Sequence, residues 1–136
     1  MNLSLSIITP EKVVYKDEVD EIVISTVNGE IAILPNHINL LTQVTPGELI
    51  IKKGSSTQSL AITGGFLEVS ENKISILADY AVKAQDIEVA RTQEAKKRAE
   101  KIMSEKASDN DLRVAQGELL KAILELKIST KHKRRM

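Results

Sequence analysis

The chain has 136 residues, 42% hydrophobic and 28% charged, which suits one ordinary domain or a small domain with a helical appendage. It has no cysteine, so disulfides, thiolate metal sites and thiol catalysis are excluded; Tyr15, Phe66 and Tyr80 are too few aromatics for the stacking platforms of single-stranded nucleic-acid binding. Formal charge is zero overall, yet residues 1–85 carry ten acidic and six basic side chains and residues 86–136 nine and thirteen, a net of −4 followed by +4 that suggests two surfaces with different partners.

Residues 1–9 (MNLSLSIIT) lack the basic leader and long apolar core of a signal peptide, and apolar runs such as Ile31–Leu34 are far too short to span a bilayer. The expectation is a soluble or peripheral protein facing a reducing compartment. Leu3, Leu5 and Ile7 alternate with polar neighbours, the period-two pattern of a half-buried strand. Val19–Thr26 and Gly29–Leu34 are short and rich in β-branched residues, with the hairpin signal Asn28-Gly29 between them. Turn signals at Pro35-Asn36, Pro46-Gly47, Lys53-Gly54, Gly64-Gly65 and Glu71-Asn72 separate further strands near Leu49–Lys53, Gln58–Ile62, Phe66–Ser70 and Lys73–Leu77. Residues 1–85 therefore read as an all-β antiparallel sandwich or flattened barrel.

The period changes at Gln85-Asp86. Asp86 is a candidate N-cap, and neither proline nor glycine occurs from Ile87 to about Ala107, where Ala95, Ala99, Ile102 and Met103 make a thin stripe at helical spacing. Ser108-Asp109-Asn110-Asp111 breaks the pattern and can cap a second helix to about Ser129, with a stripe of Leu112, Ala115, Leu119, Ile123 and Leu126. A short loop makes the two helices antiparallel, so residues 86–136 read as an α-helical hairpin. Helices with so thin a seam are marginal alone, so the hairpin should open or repack readily. Gly117 marks either a bend in the second helix or a close approach to the alanines of the first.

A search for chemistry finds no active site. His37 and His132 stand at no metal-ligand spacing, no serine lies in Gly-x-Ser-x-Gly, and Gly64-Gly65 lacks the lysine and following helix of a phosphate loop. The carboxylates Asp17-Glu18 and Asp20-Glu21 read as solvation of a strand edge. Arg91, Glu94, Arg98, Lys101 and Glu105 form a charged helix face, with Glu94–Arg98 the favourable pair. The basic run Lys131–Arg135 is either a frayed, solvated end or a site for anionic lipid, nucleic acid or an acidic protein segment.

Particular residues carry a resemblance. Thr9-Pro10-Glu11-Lys12, Gly29–His37 (GEIAILPNH), Pro46-Gly47-Glu48-Leu49, Gly64–Val69 (GGFLEV) and Asn72–Asp79 (NKISILAD) stand in the order and spacing of the epsilon subunit of bacterial F-type (rotary) ATP synthases. With the hairpin behind them, the chain resembles that family over nearly its whole length. The resemblance implies a non-catalytic subunit of the central stalk, bound to the gamma subunit and the c-ring, with Glu30 and His37 at or near the c-ring contact. It implies a hairpin that folds down to permit rotation, or extends into the alpha/beta catalytic head to obstruct ATP hydrolysis. Arg113, Lys121, Lys127 and Lys131 would then face an acidic segment of a beta subunit. It places the protein on the cytoplasmic side of the bacterial plasma membrane, peripheral and held there only through the complex, with no nucleic acid as partner.

Some members of that family bind ATP on the folded hairpin through Ile or Leu, Asp, two residues, Arg and Ala. Here Ile87, Arg91 and Arg98 fit, while Glu88 replaces the aspartate, Thr92 the alanine, and Lys121 and Glu125 stand where arginines are expected. A carboxylate gained near phosphates is adverse, so weak or no nucleotide binding is expected and no cofactor is assigned. Two rivals remain at this stage: a free adaptor whose basic tail binds membrane or nucleic acid, and an ATP-sensing domain.

Overall fold

Alternation is written into nearly every strand of the computed structural model, which describes residues 2–105 and 108–135. The chain divides into two compact units, Met1–Lys83 and Ala84–Met136. The first holds ten strands: β1 (Leu3–Ile8), β2 (Val13–Val19), β3 (Glu21–Thr26), β4 (Gly29–Ile33), β5 (Leu40–Val44), β6 (Gly47–Lys53), β7 (Ser56–Ile62), β8 (Gly65–Ser70), β9 (Lys73–Ala78) and β10 (Ala81–Lys83). They form one sheet in the order β10-β7-β6-β3-β5-β8-β9-β1-β2, with β4 paired to β3. All pairs are antiparallel except β1–β9.

The sheet folds on itself as a flattened barrel because β2, last in the order, runs through Asp20 directly into β3, near its middle. Asp20 stitches the join: its N–H donates to Lys52 O at 2.9 Å, and its Oδ2 accepts from Gly54 N–H at 2.6 Å. Lys53 Nζ adds an ion pair to Asp17 Oδ2 at 2.6 Å, a hydrogen bond that holds the Asp17 carboxyl below its ordinary pKa. Both side chains are about half exposed, so the pair contributes little to stability. The edge carboxylates thus close the barrel as well as solvate it. Inside lies an aliphatic core including Leu3, Leu5, Ile22, Ile24, Ile51, Leu67 and Ile74, each worth about 1.5–3 kcal/mol of burial.

Seven strands coincide with the sequence expectation; β2, β5 and β10 are additional, and the expected strand Val19–Thr26 breaks at Asp20. The Asn28-Gly29 signal does mark a hairpin, with the turn on Val27-Asn28 and the positive φ of +103° on Gly29. Thr26 clamps it, its hydroxyl donating to Gly29 O at 2.8 Å and accepting from Asn28 N–H at 3.1 Å.

The second unit holds a 3-10 turn (Ala84–Asp86) and helices α1 (Val89–Ser104) and α2 (Asp109–Arg135). The N-cap of α1 is Glu88 rather than Asp86, with no side-chain cap, because Asp86 is taken up in the 3-10 turn. The described part of α1 ends at Ser104; the expected end at Ala107 lies outside the described residues. Ser108 caps α2, its hydroxyl accepting from Asp111 N–H at 3.1 Å, and Asp109 and Asp111 complement the positive end of the helix dipole. α2 does not stop near Ser129. It runs to Arg135, so the basic run forms its last turns, where cations favour the negative end of the dipole.

The buried positions of the hairpin agree with the expected stripes at Ala99 and Ala115 and differ elsewhere. Ile102 and Ile123 point outward, and the buried set is Thr92 and Ala99 on α1 with Ala115, Ala122, Glu125, Ile128 and Ser129 on α2. Small residues recur at seven-residue spacing, Thr92/Ala99 and Ala115/Ala122/Ser129, so the buried side of the hairpin is narrow and partly polar. Glu94–Arg98 is not among the ion pairs of the described residues; Arg91–Glu88 at 3.4 Å and Lys96–Glu100 at 3.9 Å are.

Gly117 is exposed within unbroken helix, and a Cβ added there would meet no atom within 4 Å. Close packing against alanines therefore does not explain it. Gly117→Ala is expected to stabilise α2 by about 0.5–1 kcal/mol, since it removes the conformational freedom of a helical glycine. Slower amide exchange across α2 would show this; unchanged or faster exchange would mean that the glycine serves a different conformation.

Candidate functional site

The surfaces of this molecule carry more information than its crevices. Among the described residues no group of three or more His, Asp or Glu side chains could hold a metal ion, and no helix is long and apolar enough to cross a membrane.

One outer face of the β unit is apolar where alternation calls for polar residues. In β1 the outward phase is Ser4, Ser6, Ile8; in β8 it is Phe66, Glu68, Ser70; in β9 it is Lys73, Ser75, Leu77. Register aligns the exceptions. Phe66 pairs with Leu77, Leu77 with Ile8, and Ile8 with Val13 of β2. All four are exposed, Phe66, Leu77 and Val13 by 56% each and Ile8 by 38%. Leu41 on β5, 72% exposed and opposite Glu68, lies diagonal to Phe66 and widens the stripe. A contiguous apolar row of this kind, four strands wide, is unusual on a solvent-facing sheet and is a candidate interaction surface.

Glu30 and His37 lie at opposite ends of β4 and are not brought together. Glu30 is exposed beside the Val27-Asn28 turn, opposite Ser25. His37 follows a turn at Pro35-Asn36 in which Asn36 takes φ +69° and its N–H donates to Asn72 Oδ1 at 2.6 Å, pinning the loop to the β8–β9 turn. His37 N–H donates to Leu34 O at 3.2 Å, and its ring Nδ1 bonds Ile38 O at 2.7 Å. This hydrogen-bonded loop presents two large apolar side chains, Leu34 and Ile38, the latter 79% exposed. Reading for titratable groups overlooked both of them, and the stripe as well. The signal available for the stripe was an apolar residue in the polar phase of three neighbouring strands.

Arg113, Lys121, Lys127 and Lys131 all lie on α2. At about 100° per residue they fall within an arc of roughly 120°, so they share one side of the helix. Ile87 precedes α1 with its N–H donating to Ala84 O, and Arg98 is exposed. Arg91 is engaged by Glu88 at 3.4 Å, both largely exposed. Three positions that depart from the nucleotide-binding pattern prove to be joined: Thr92 Oγ1 lies 3.0 Å from Glu88 O and 3.2 Å from Glu125 Oε2.

Comparison with known proteins matches both units. Residues 2–84 match the family described as "ATP synthase, Delta/Epsilon chain, beta-sandwich domain", and residues 85–130 its "long alpha-helix domain". The ATP synthase epsilon chain of Dehalococcoides mccartyi is 41% identical over 133 residues, covering 97% of this chain and 95% of that one. That of Desulforamulus reducens is 42% identical over 123 residues, covering 90% and 93%. A chain in the cryo-EM structure of Euglena gracilis mitochondrial ATP synthase (OSCP/F1/c-ring, rotational state 1) superposes with a TM-score of 0.71 at 25% identity, over 91% of this chain and 78% of that one. A chain of the Tetrahymena thermophila central stalk/c-ring structure shares the fold, with a TM-score of 0.62 at 18% identity over 95% and 97%. The chain belongs to the ATP synthase delta/epsilon chain family.

Proposed function

We propose that this protein is a rotor subunit in the central stalk of a bacterial F-type ATP synthase, helping to couple ion translocation to ATP synthesis and restraining ATP hydrolysis through its hairpin. The observation that carries the reading is the apolar row Val13–Ile8–Leu77–Phe66, with Leu41 beside it. Such a row is costly to leave in water and suits permanent docking on the gamma subunit. Glu30 at one end of β4, and His37 with Leu34 and Ile38 at the other, are the candidate contacts with the polar loops of the c-ring. The protein then sits at the cytoplasmic face of the plasma membrane, held there by the complex. In this reading it supplies no catalytic group; the chemistry of ATP belongs to the alpha/beta head.

The hairpin suits a brake because little holds it closed: its buried set is small and partly polar. A modest set of new contacts on the head is enough to shift the balance between closed and extended forms. Arg113, Lys121, Lys127 and Lys131, on one side of α2, would pair there with an acidic segment of a beta subunit. Nucleotide is not needed for this switch. Glu125 stands where ATP-binding members of the family carry an arginine, which is adverse for phosphate, and Arg91 is already engaged by Glu88.

The test compares ATP hydrolysis by the assembled complex carrying the intact chain with one lacking residues after Gln85. Hydrolysis should rise several-fold on truncation, with assembly unchanged. An unchanged rate would reduce the hairpin to an accessory.

A further inference from the structure

Of the asparagines in the chain, only Asn28 is followed by glycine. Such a pair is chemically labile, because the main-chain nitrogen of a residue without a side chain is unshielded and free to attack the preceding side-chain amide. The place of this pair in the fold leaves it open. Val27, Asn28, Gly29 and Glu30 are all exposed, and a Cβ built on Gly29 would meet no atom within 4 Å. Among the described residues, no hydrogen bond holds the Asn28 side-chain amide. The other asparagines precede bulkier residues, and Asn72 also has its side-chain oxygen engaged, by Asn36 N–H at 2.6 Å.

One side chain restrains the pair. The Thr26 hydroxyl, on a residue only 5% exposed, donates to Gly29 O at 2.8 Å and accepts from Asn28 N–H at 3.1 Å. The planar peptide unit that joins Asn28 to Gly29 lies between those two bonds. Bringing Gly29 N against Asn28 Cγ turns that unit about the Asn28 Cα–C bond, so the clamp must loosen first.

We propose that Asn28 is a site of spontaneous deamidation whose rate is set by the Thr26 hydroxyl. Gly29 N gives up its proton to a base in solution and forms a bond to Asn28 Cγ, and the side-chain nitrogen leaves as ammonia. Water then opens the resulting cyclic imide. Cleavage between the nitrogen and Cγ gives an aspartyl residue at position 28; cleavage between the nitrogen and the main-chain carbonyl carbon gives an isoaspartyl residue. Either product adds a carboxylate next to Glu30. The isoaspartyl product also routes the main chain through the side-chain carbons, which lengthens the turn and displaces Gly29 from its pairing with Thr26. The hairpin tip that carries Glu30 therefore changes charge with the age of the chain.

The test incubates the full chain at neutral and mildly alkaline pH and maps its peptides by mass spectrometry, with fragmentation that separates isoaspartyl from aspartyl. Conversion should appear first at Asn28 and quicken with pH, because the attacking nitrogen must lose its proton. Unfolding in urea frees the clamp, and Thr26→Val removes it with little change of shape. Both should raise the rate, the variant about three- to tenfold, the scale of one hydrogen bond. Thr26→Ser keeps the hydroxyl and should stay near the parent. Conversion at Asn28 no faster than at Asn36 or Asn39 overturns the site. A folded Thr26→Val chain that converts at the parent rate overturns the control by Thr26, as does a native chain that converts as fast as the unfolded one.

Discussion

Replacing Gly65 with alanine should cost the β unit about 3–5 kcal/mol and lower its melting temperature by on the order of 20 °C. Gly65 opens β8 at φ +141°, a backbone region in which residues with a Cβ are strained. A Cβ built there would lie 2.1 Å from the Leu77 carbonyl oxygen and 2.9 Å from Ala78 Cα. Both are main-chain atoms of β9, paired with β8 in the register Gly65↔Ala78. They cannot turn aside as a flexible side chain would; relief requires the two strands to part. Gly64 provides the control. Its φ of +140° is the same, but its nearest neighbours would be 3.5 Å away, an ordinary contact. Gly64→Ala should therefore carry the backbone strain alone, about 1–3 kcal/mol. Urea unfolding of the full chain separates the two. Equal losses at both positions, or a loss under about 1 kcal/mol at Gly65, would contradict the overlap.

The Gly64-Gly65 pair also shows what kind of feature reads directly from sequence. As a turn signal it is plain, and so is the alternation of Leu3–Ile7 or Lys73–Leu77, because one face of each strand is buried and the other is not. β2 is obscured for the opposite reason. Lys16-Asp17-Glu18 has no apolar alternation of its own; its place as a strand shows only in its pairing with β1 and in the ion pair of Asp17 with Lys53, 36 residues away. β5 buries only Val44 and leaves Leu41 outside, so it shows no clean period. The helical stripes are legible as helices and include the buried Ala99 and Ala115, but also Ile102 and Ile123, which face outward. Seven-residue recurrence of small residues, not the largest apolar ones, determines which side is buried. Glu125 is the extreme case: a carboxylate reads as solvent-facing unless its neighbours in space are known.

The same reasoning, applied to residues out of phase, leads to the largest functional effect. A double variant, Phe66→Asp with Leu77→Asp, should still fold, at a cost of about 1–3 kcal/mol, since both side chains are already more than half exposed but the two new carboxylates stand opposite each other in register. Its affinity for the gamma subunit should fall about 100-fold or more. Exposed aromatic and aliphatic anchors at the centre of an interface each contribute on the order of 2 kcal/mol, and two carboxylates buried there without partners add a desolvation cost. Lys73, in the outward phase of β9 but two places away from Leu77, supplies a comparison: Lys73→Ala should change the affinity by no more than a few-fold. Titration of the purified gamma subunit with each variant measures this directly. A double variant that still binds like the parent would remove the stripe from the interface. Retained folding combined with lost binding would show that Ile8, Phe66 and Leu77 sit out of phase for a partner's benefit, since the barrel's own core already takes Ile7, Leu67 and Ile76 from the same three strands.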